Sequence, residues 1–264
     1  MIALNVSYTV ATTQDVTDRE TAVQVYRCAV AASLAYLDGG ELQSQAAEAR
    51  LTLVATIKRG SHNALVLDDD HVRLLAFRGT DERNDWRTNL DVWFRSTPWG
   101  RVHRGFQDAV ATFWPDVDDH VRDGIAGGRG IWLTGHSLGG ALALLAGARL
   151  VARDVIADRI CTFGQPAVGG SAFCHQCTNA FGARYIRCVN HTDAVADDLT
   201  LWRQHSGTLW YFDVDGALHH EISFRRGLLD HVLAPHRFGG LSQFSAHGMA
   251  KYLPLLRSVA EPEP

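Results

Sequence analysis

The sequence predicts an α/β fold, with a mixed, largely parallel sheet covered by helices on both faces. Two observations carry this. Short apolar runs of strand length alternate along the chain with runs of helical length and periodicity. One junction between them is sharply defined: "RGIWLTG" (129–135) suits a short buried strand, and the alanine- and leucine-dense stretch from Leu138 to about Arg153 suits a helix. Between them, Ser137 stands at the apex of Gly135-His136-Ser137-Leu138-Gly139, a G-x-S-x-G pattern in its strand–turn–helix context.

The other elements follow in order. Thr17-x-x-Glu20 has the form of a capping box and is expected to open a helix running to about Leu37, with Ala22, Val25, Ala29 and Ala32 on its apolar face and Gly39–Gly40 ending it. "LTLVATI" (51–57) reads as a strand, and "NALVLDDDHVRLLAFRG" (63–79) as a hairpin turning at Asp68–Asp70. No strand is expected in 81–103. A helix is expected from Phe106 to about Ile125, irregular near Pro115. Segments 159–164, 183–190 and 208–214 read as further strands, "GSAFCHQCTNAF" (170–181) as a short helix, and Met249 to about Val259 as a final helix before a solvated "EPEP" tail. There is no internal repeat or linker, so 1–264 is expected to form a single domain.

Composition narrows the function classes. The chain has 264 residues, 46% hydrophobic and 20% charged, with a formal net charge of −4 and dispersed charges, which gives no footprint for nucleic acid. No apolar run approaches the roughly 18 residues of a transmembrane helix, so none is expected. The N-terminus lacks the basic start and apolar stretch of a signal peptide, which leaves a cytoplasmic location and export by a signal-independent route both open. Five cysteines, an odd number, fit a reducing compartment. Cys174 and Cys177 form a lone CxxC, expected to be buried thiols and not a zinc site; no metal or cofactor is implied.

The chemistry centres on Ser137. Glycines two residues either side let the backbone reverse, and the helix N-terminus behind it favours negative charge. A serine hydroxyl needs a base, and the base an orienting acid, in the chain order Ser, Asp or Glu, His for α/β-hydrolases. Asp193, just past the strand ending near Val189, falls on the same sheet edge as Ser137; Asp197 and Asp198 are local rivals. Six histidines follow: His205, His219, His220, His231, His236 and His247. His247 stands directly before the last helix, where a base can hang over the apex, and His231 is the second choice. His136 is assigned a structural role. Oxyanion stabilisation calls for backbone amides, those of Leu138 and of Thr80 in "AFRGT".

Several stretches together, "AFRGT", "DW" followed by "NL", "VHRGF", "TGHSLGGALA", "TFGQPAVG", "VNHTDAV" and "HGMAKYL", resemble in their order the class 3 lipases, the fungal-type triacylglycerol lipase family. The resemblance spans roughly residues 70–253. It implies an α/β-hydrolase fold, no cofactor, and hydrolysis of lipid carboxylic esters, with Ser137 as nucleophile, Asp193 as acid, His247 as base, and Thr80 and Leu138 at the oxyanion hole. The long segment 215–246, rich in His and Arg, departs from the family pattern. The resemblance also implies a lid at about 82–99. The residues agree: Trp86 and Leu90 are an i, i+4 pair and Trp93 and Phe94 add a turn, giving an amphipathic helix able to hide its apolar face or meet a lipid surface. His103 and Arg104 would buttress the loop of Thr80. The expected activity is acylglycerol hydrolysis, with a phospholipase A or galactolipase as the enzymatic alternative and a non-catalytic binding protein as the other class. The expected partner is a lipid ester at an interface, with transient membrane or lipid-droplet contact.

Overall fold

The computed structural model of the chain describes residues 13–79, 93–191, 193, 205–220 and 247–261. In chain order the elements are α1 (Thr13–Leu34), α2 (Gly39–Glu48), β1 (Thr52–Arg59), β2 (His62–Asp68), β3 (Val72–Phe77), β4 (Phe94–Thr97), β5 (Gly100–His103), α3 (Arg104–Ala126), β6 (Gly130–His136), α4 (Leu138–Val151), β7 (Arg159–Phe163), α5 (Ser171–Phe181), β8 (Tyr185–Asn190), β9 (Thr208–Phe212), β10 (Leu218–His219) and α6 (Met249–Ala260).

Eight strands form one sheet in the order β1-β2-β3-β6-β7-β8-β9-β10. The first three are an antiparallel meander. From β3 through β9 all neighbours are parallel. The connections dictate this division. A two- or three-residue turn can only reverse a strand, whereas α3, α4 and α5 are long enough to carry the chain back for a parallel pairing. The β2–β3 turn lies at the expected aspartates: Asp69 Oδ1 accepts from the His71 and Val72 amides at 2.7 Å. Beside it, Asp68 and Arg73 form a buried two-pronged ion pair at 2.7 Å and 2.7 Å, and Arg73 also donates to the His120 carbonyl on α3.

Because helices cover both faces, the strands are apolar on both sides and alternate between two cores. Leu74, Ala76, Trp132, Cys161 and Phe163 pack with α1, α2 and α6. Leu75, Phe77, Ile131, Leu133 and Ile160 pack with α3 and α4. The expected face of α1 is buried, with Ala22, Val25, Ala29 and Ala32 at 2% exposure or less. All five cysteines are buried and none forms a disulfide. Burial pushes the Cys174 and Cys177 thiols up, which keeps them protonated and inert. No helix among the described residues is long and apolar enough to cross a membrane.

Four expectations need correction. The first helix begins at Thr13, one turn before the Thr17–Glu20 box. Gly39 does not close that helix: with φ +58 it begins α2, which the two adjacent glycines had disguised as a terminator. Residues 81–103 do contain strands, since β4 and β5 pair as an antiparallel hairpin from Phe94↔His103 to Thr97↔Gly100. Phe94 therefore lies in a strand and Trp93 immediately before it, not in a further turn of a lid helix. A tryptophan beside a phenylalanine with a Thr-Pro-Trp-Gly reversal behind them favours extended chain and a turn. Trp86 and Leu90, the other lid positions, lie outside the described residues. The predicted irregularity at Pro115 is not seen; α3 runs through it unbroken.

Candidate active site

Ser137 sits where β6 passes into α4, with φ 56 and ψ −128, a backbone conformation that a side chain adopts only when its surroundings impose it. The surroundings are backbone packed on backbone. A Cβ at Gly139 would lie 2.0 Å from the Phe77 carbonyl oxygen, and one at Gly135 would lie 2.3 Å from Gly139 itself. The Ser137 amide donates to the Phe163 carbonyl at 2.9 Å, fastening the turn to β7. Leu138 opens α4, so its N–H is among the first-turn amides with no acceptor inside the helix. The chain just before Thr80 also reaches this point: a Cβ on Gly79 would sit 3.2 Å from that of Ser137. Thr80 itself lies outside the described residues.

Since β6 and β8 are members of the same parallel run, their C-terminal ends open onto one edge of the sheet. Three residues past β8, Asp193 turns back through a bond from its own amide to the Asn190 carbonyl. His247 stands directly before α6. The two meet: His247 Nδ1 lies 2.9 Å from both carboxylate oxygens of Asp193, which is fully buried. A third group completes the pair. Tyr252, one and a half turns further along α6, donates its hydroxyl to Asp193 Oδ2 at 2.7 Å and accepts from the Asn190 amide at 3.1 Å. Burial alone would raise the Asp193 carboxyl. The His247 and Tyr252 hydrogen bonds, with the histidine charge, outweigh it and hold the group below the ordinary carboxylate range. The Tyr252 hydroxyl is in turn driven up by burial and by the Asp193 charge, so it stays a donor. Gly164, at φ +56, completes the cradle, since a Cβ there would come 2.6 Å from Asp193 Oδ2 and 2.8 Å from His247 Nδ1.

His136 is structural, and the structure gives its task. Its Nε2 lies 2.5 Å from the His247 carbonyl oxygen and its Nδ1 2.7 Å from the Tyr36 hydroxyl. A carbonyl only accepts, so Nε2 carries the proton and Nδ1 accepts from Tyr36. The ring also lies against that of His247, with centroids 4.5 Å apart. The order Tyr36–His136–His247 thus fixes the backbone of the candidate base, while Asp193 and Tyr252 fix its ring.

Among the rival residues, His219 bonds Asp213 at 2.8 Å, and Asp213 also takes the amides of Asp215 and Ala217. That pair closes the β9–β10 turn. His231, His236, Asp197 and Asp198 lie outside the described residues. His103 is buried; it accepts from the Phe106 amide at the start of α3 and stacks on the Phe106 ring at 4.2 Å. Tyr36 and Tyr252 were not singled out by sequence. Tyr252 carried the better signal, since it falls inside the "HGMAKYL" stretch five residues after the histidine.

The family model described as lipase (class 3) matches residues 74–200. Over that stretch, just under half of the chain, the sequence is similar to the class 3 lipases. A lipase of Rhizomucor miehei is 31% identical over 150 residues, which are 50% of this chain and 39% of the relative. A chloroplastic phospholipase A1 of Arabidopsis thaliana is 31% identical over 118 residues, 39% of this chain and 18% of the relative. The chain thus spans less than half the length of these class 3 relatives. Among solved structures, the Rhizomucor miehei triacylglyceride lipase aligns with a TM-score of 0.64 at 25% identity, covering 77% of this chain and 82% of that one. A triacylglycerol lipase whose catalytic centre is described as a serine protease triad aligns with a TM-score of 0.67 at 24% identity, covering 84% and 95%. Those neighbours share the fold, an α/β-hydrolase sheet with helices on both faces.

Proposed function

We propose that the chain is a serine carboxylic-ester hydrolase acting on lipid esters, acylglycerols first among them, and that all of it works as one hydrolase unit. The observation that carries this is the buried Asp193–His247 pair at the same sheet edge as a serine held at φ 56 between β6 and α4. Asp193 accepts the Nδ1 proton of His247, which leaves Nε2 with its lone pair for the Ser137 hydroxyl proton. As that proton passes to Nε2, Ser137 Oγ bonds to the ester carbonyl carbon and the C=O electrons move onto oxygen. The Leu138 amide, with Thr80 as the second donor, receives that negative charge. Collapse of the adduct expels the alcohol, which takes the proton from His247, and leaves an acyl-Ser137. Water, deprotonated by His247 in turn, releases the fatty acid and restores the hydroxyl.

Ser137 is 2% exposed, which shields the acyl-enzyme from bulk water. The remaining part of the expected lid, with Trp86 and Leu90, lies outside the described residues. Reaction with a fluorophosphonate followed by peptide mapping tests the nucleophile: the label should fall on Ser137 alone and disappear in S137A. Label on another serine, or undiminished p-nitrophenyl ester hydrolysis by S137A, would reject the assignment. Because one relative is named a phospholipase A1, the headgroup is settled by a panel of tri-, di- and phosphoglycerides.

A further inference from the structure

The hairpin β4–β5 displaces part of the expected lid and poses a question of its own. Trp93 is 64% exposed, the most exposed large apolar side chain among the described residues; the others are aliphatic and scattered. Residues 93–104, "WFRSTPWGRVHR", carry three arginines and no acidic residue, in a chain whose net charge is −4. Arg95, Arg101 and Arg104 are all exposed. Arg95 pairs with Asp108 at 2.8 Å, and the Arg101 guanidinium lies over the Phe94 ring at 4.9 Å.

The hairpin is also oriented. Its turn residue Trp99 packs near Leu145, Ala148 and Ala152 around a 130 Å³ apolar cavity, late in the helix that Ser137 begins. Its open end is tied by an Arg104 amide bond to the Trp93 carbonyl, by a His103 amide bond to Val168, and by a bridge from Val102 to Gly169. These last residues belong to the loop leaving the C-terminal end of β7. Trp93 therefore stands on the Ser137 edge, on a framework held by backbone bonds.

From this we infer that the open end of the β4–β5 hairpin is a fixed anchor for an anionic lipid surface, with Trp93 seated among the headgroups and Arg101 facing lipid phosphates. An indole with an apolar body and one N–H donor suits the boundary between acyl chains and water. Arginine recognises phosphate with a planar fork of donors, and a basic cluster next to it is drawn to an anionic leaflet. The inference rests on the lipid-ester reading above for its purpose, since it brings the candidate catalytic edge down onto its substrate.

The test uses the full chain carrying S137A, so that vesicles are not consumed, sedimented with phosphatidylcholine vesicles with and without phosphatidylglycerol. Binding should be stronger with phosphatidylglycerol and should fall as salt is added. W93A should weaken binding to both compositions. R101E should weaken it only where phosphatidylglycerol is present, by about 25-fold at roughly fivefold per unit of charge, while R101K should keep it. No binding to the anionic vesicles, equal binding to the two compositions, or binding untouched by W93A or by R101E would overturn the anchor. With Ser137 intact, R101E should hydrolyse a water-soluble p-nitrophenyl ester at the wild-type rate. That assay separates the two proposals: an active, Ser137-dependent enzyme with unaffected vesicle binding refutes the anchor alone, and an inactive chain refutes the hydrolase reading alone.

Discussion

Replacing Tyr252 with Phe keeps the ring in the core and removes one hydroxyl, whose two bonds in the structure define the cost. It donates to the Asp193 carboxylate at 2.7 Å and accepts from the Asn190 amide at 3.1 Å, with Tyr252 and Asp193 both at 0% exposure. A hydrogen bond to a charged group contributes about 1.5–3 kcal/mol, and removing the acceptor of a buried amide adds about 1 kcal/mol. Y252F should therefore lose about 3 kcal/mol at pH 7, a large part of the ~5–15 kcal/mol of a typical domain. The pH dependence follows from Asp193. Its folded pKa is depressed, so it contributes stability above its unfolded value that is lost as pH falls through the folded one. Without the tyrosine the folded value rises, so the gap between wild type and Y252F should be fullest near neutrality and should narrow on acidification. Urea melts at a series of pH values measure this directly. A loss under about 1 kcal/mol at pH 7, or a gap that does not change with pH, would show that the hydroxyl does not stabilise the carboxylate. Turnover of a soluble ester should fall as well, because Asp193 would orient His247 with one restraint fewer.

Other outcomes follow from the same geometry. D193N keeps the shape of the pair but offers His247 the wrong partner; in a serine triad with these roles the change costs ~10⁴-fold in kcat, and near-normal turnover would remove Asp193 from the mechanism. G164A drives a methyl to 2.6 Å from Asp193 Oδ2 at a positive φ; circular dichroism should remain native-like while kcat drops by about 10²-fold, as for a catalytic group displaced by ~1 Å. R73M strands a buried Asp68 with only Arg129, 3.3 Å away, to compensate. Denaturant melts should show a loss of about 3 kcal/mol, the lower end for a broken buried pair, with recovery when Asp68 is made leucine as well.

The parts of the fold legible in sequence were those where one local rule governs. The strand–turn–helix at Ser137 was readable because close backbone packing demands glycine at fixed offsets, and the doubly covered sheet because short apolar runs alternate with helical ones. Asp193 and His247 were legible as positions, one past a strand end and one before a helix, although their contact was not. The hairpin β4–β5 escaped because its strands are four residues long and Trp93 and Phe94 follow Trp86 and Leu90 at seven- and four-residue spacings that also fit a helix. Tyr36 and Tyr252 escaped for a different reason. Each serves the site through a single hydroxyl on a ring that also packs against a hydrophobic core, and nothing in a local pattern distinguishes such a ring from core.

The chain from Tyr36 through His136 to the His247 carbonyl bears on where this protein can be cut. The stretch matched by the family model, 74–200, holds Ser137 and Asp193 but neither Tyr36 at its near end nor His247 and Tyr252 at its far end. Those three come from the flanks, where α1 and α6 pack against each other over one face of the sheet. A fragment trimmed to the matched block would keep Ser137, the candidate nucleophile, and lose His247, the candidate base, the Tyr252 ring that props Asp193, and the first helix. Shortening from either terminus should thus lower the reactivity of Ser137 at a distance, and expression boundaries belong outside α1 and α6.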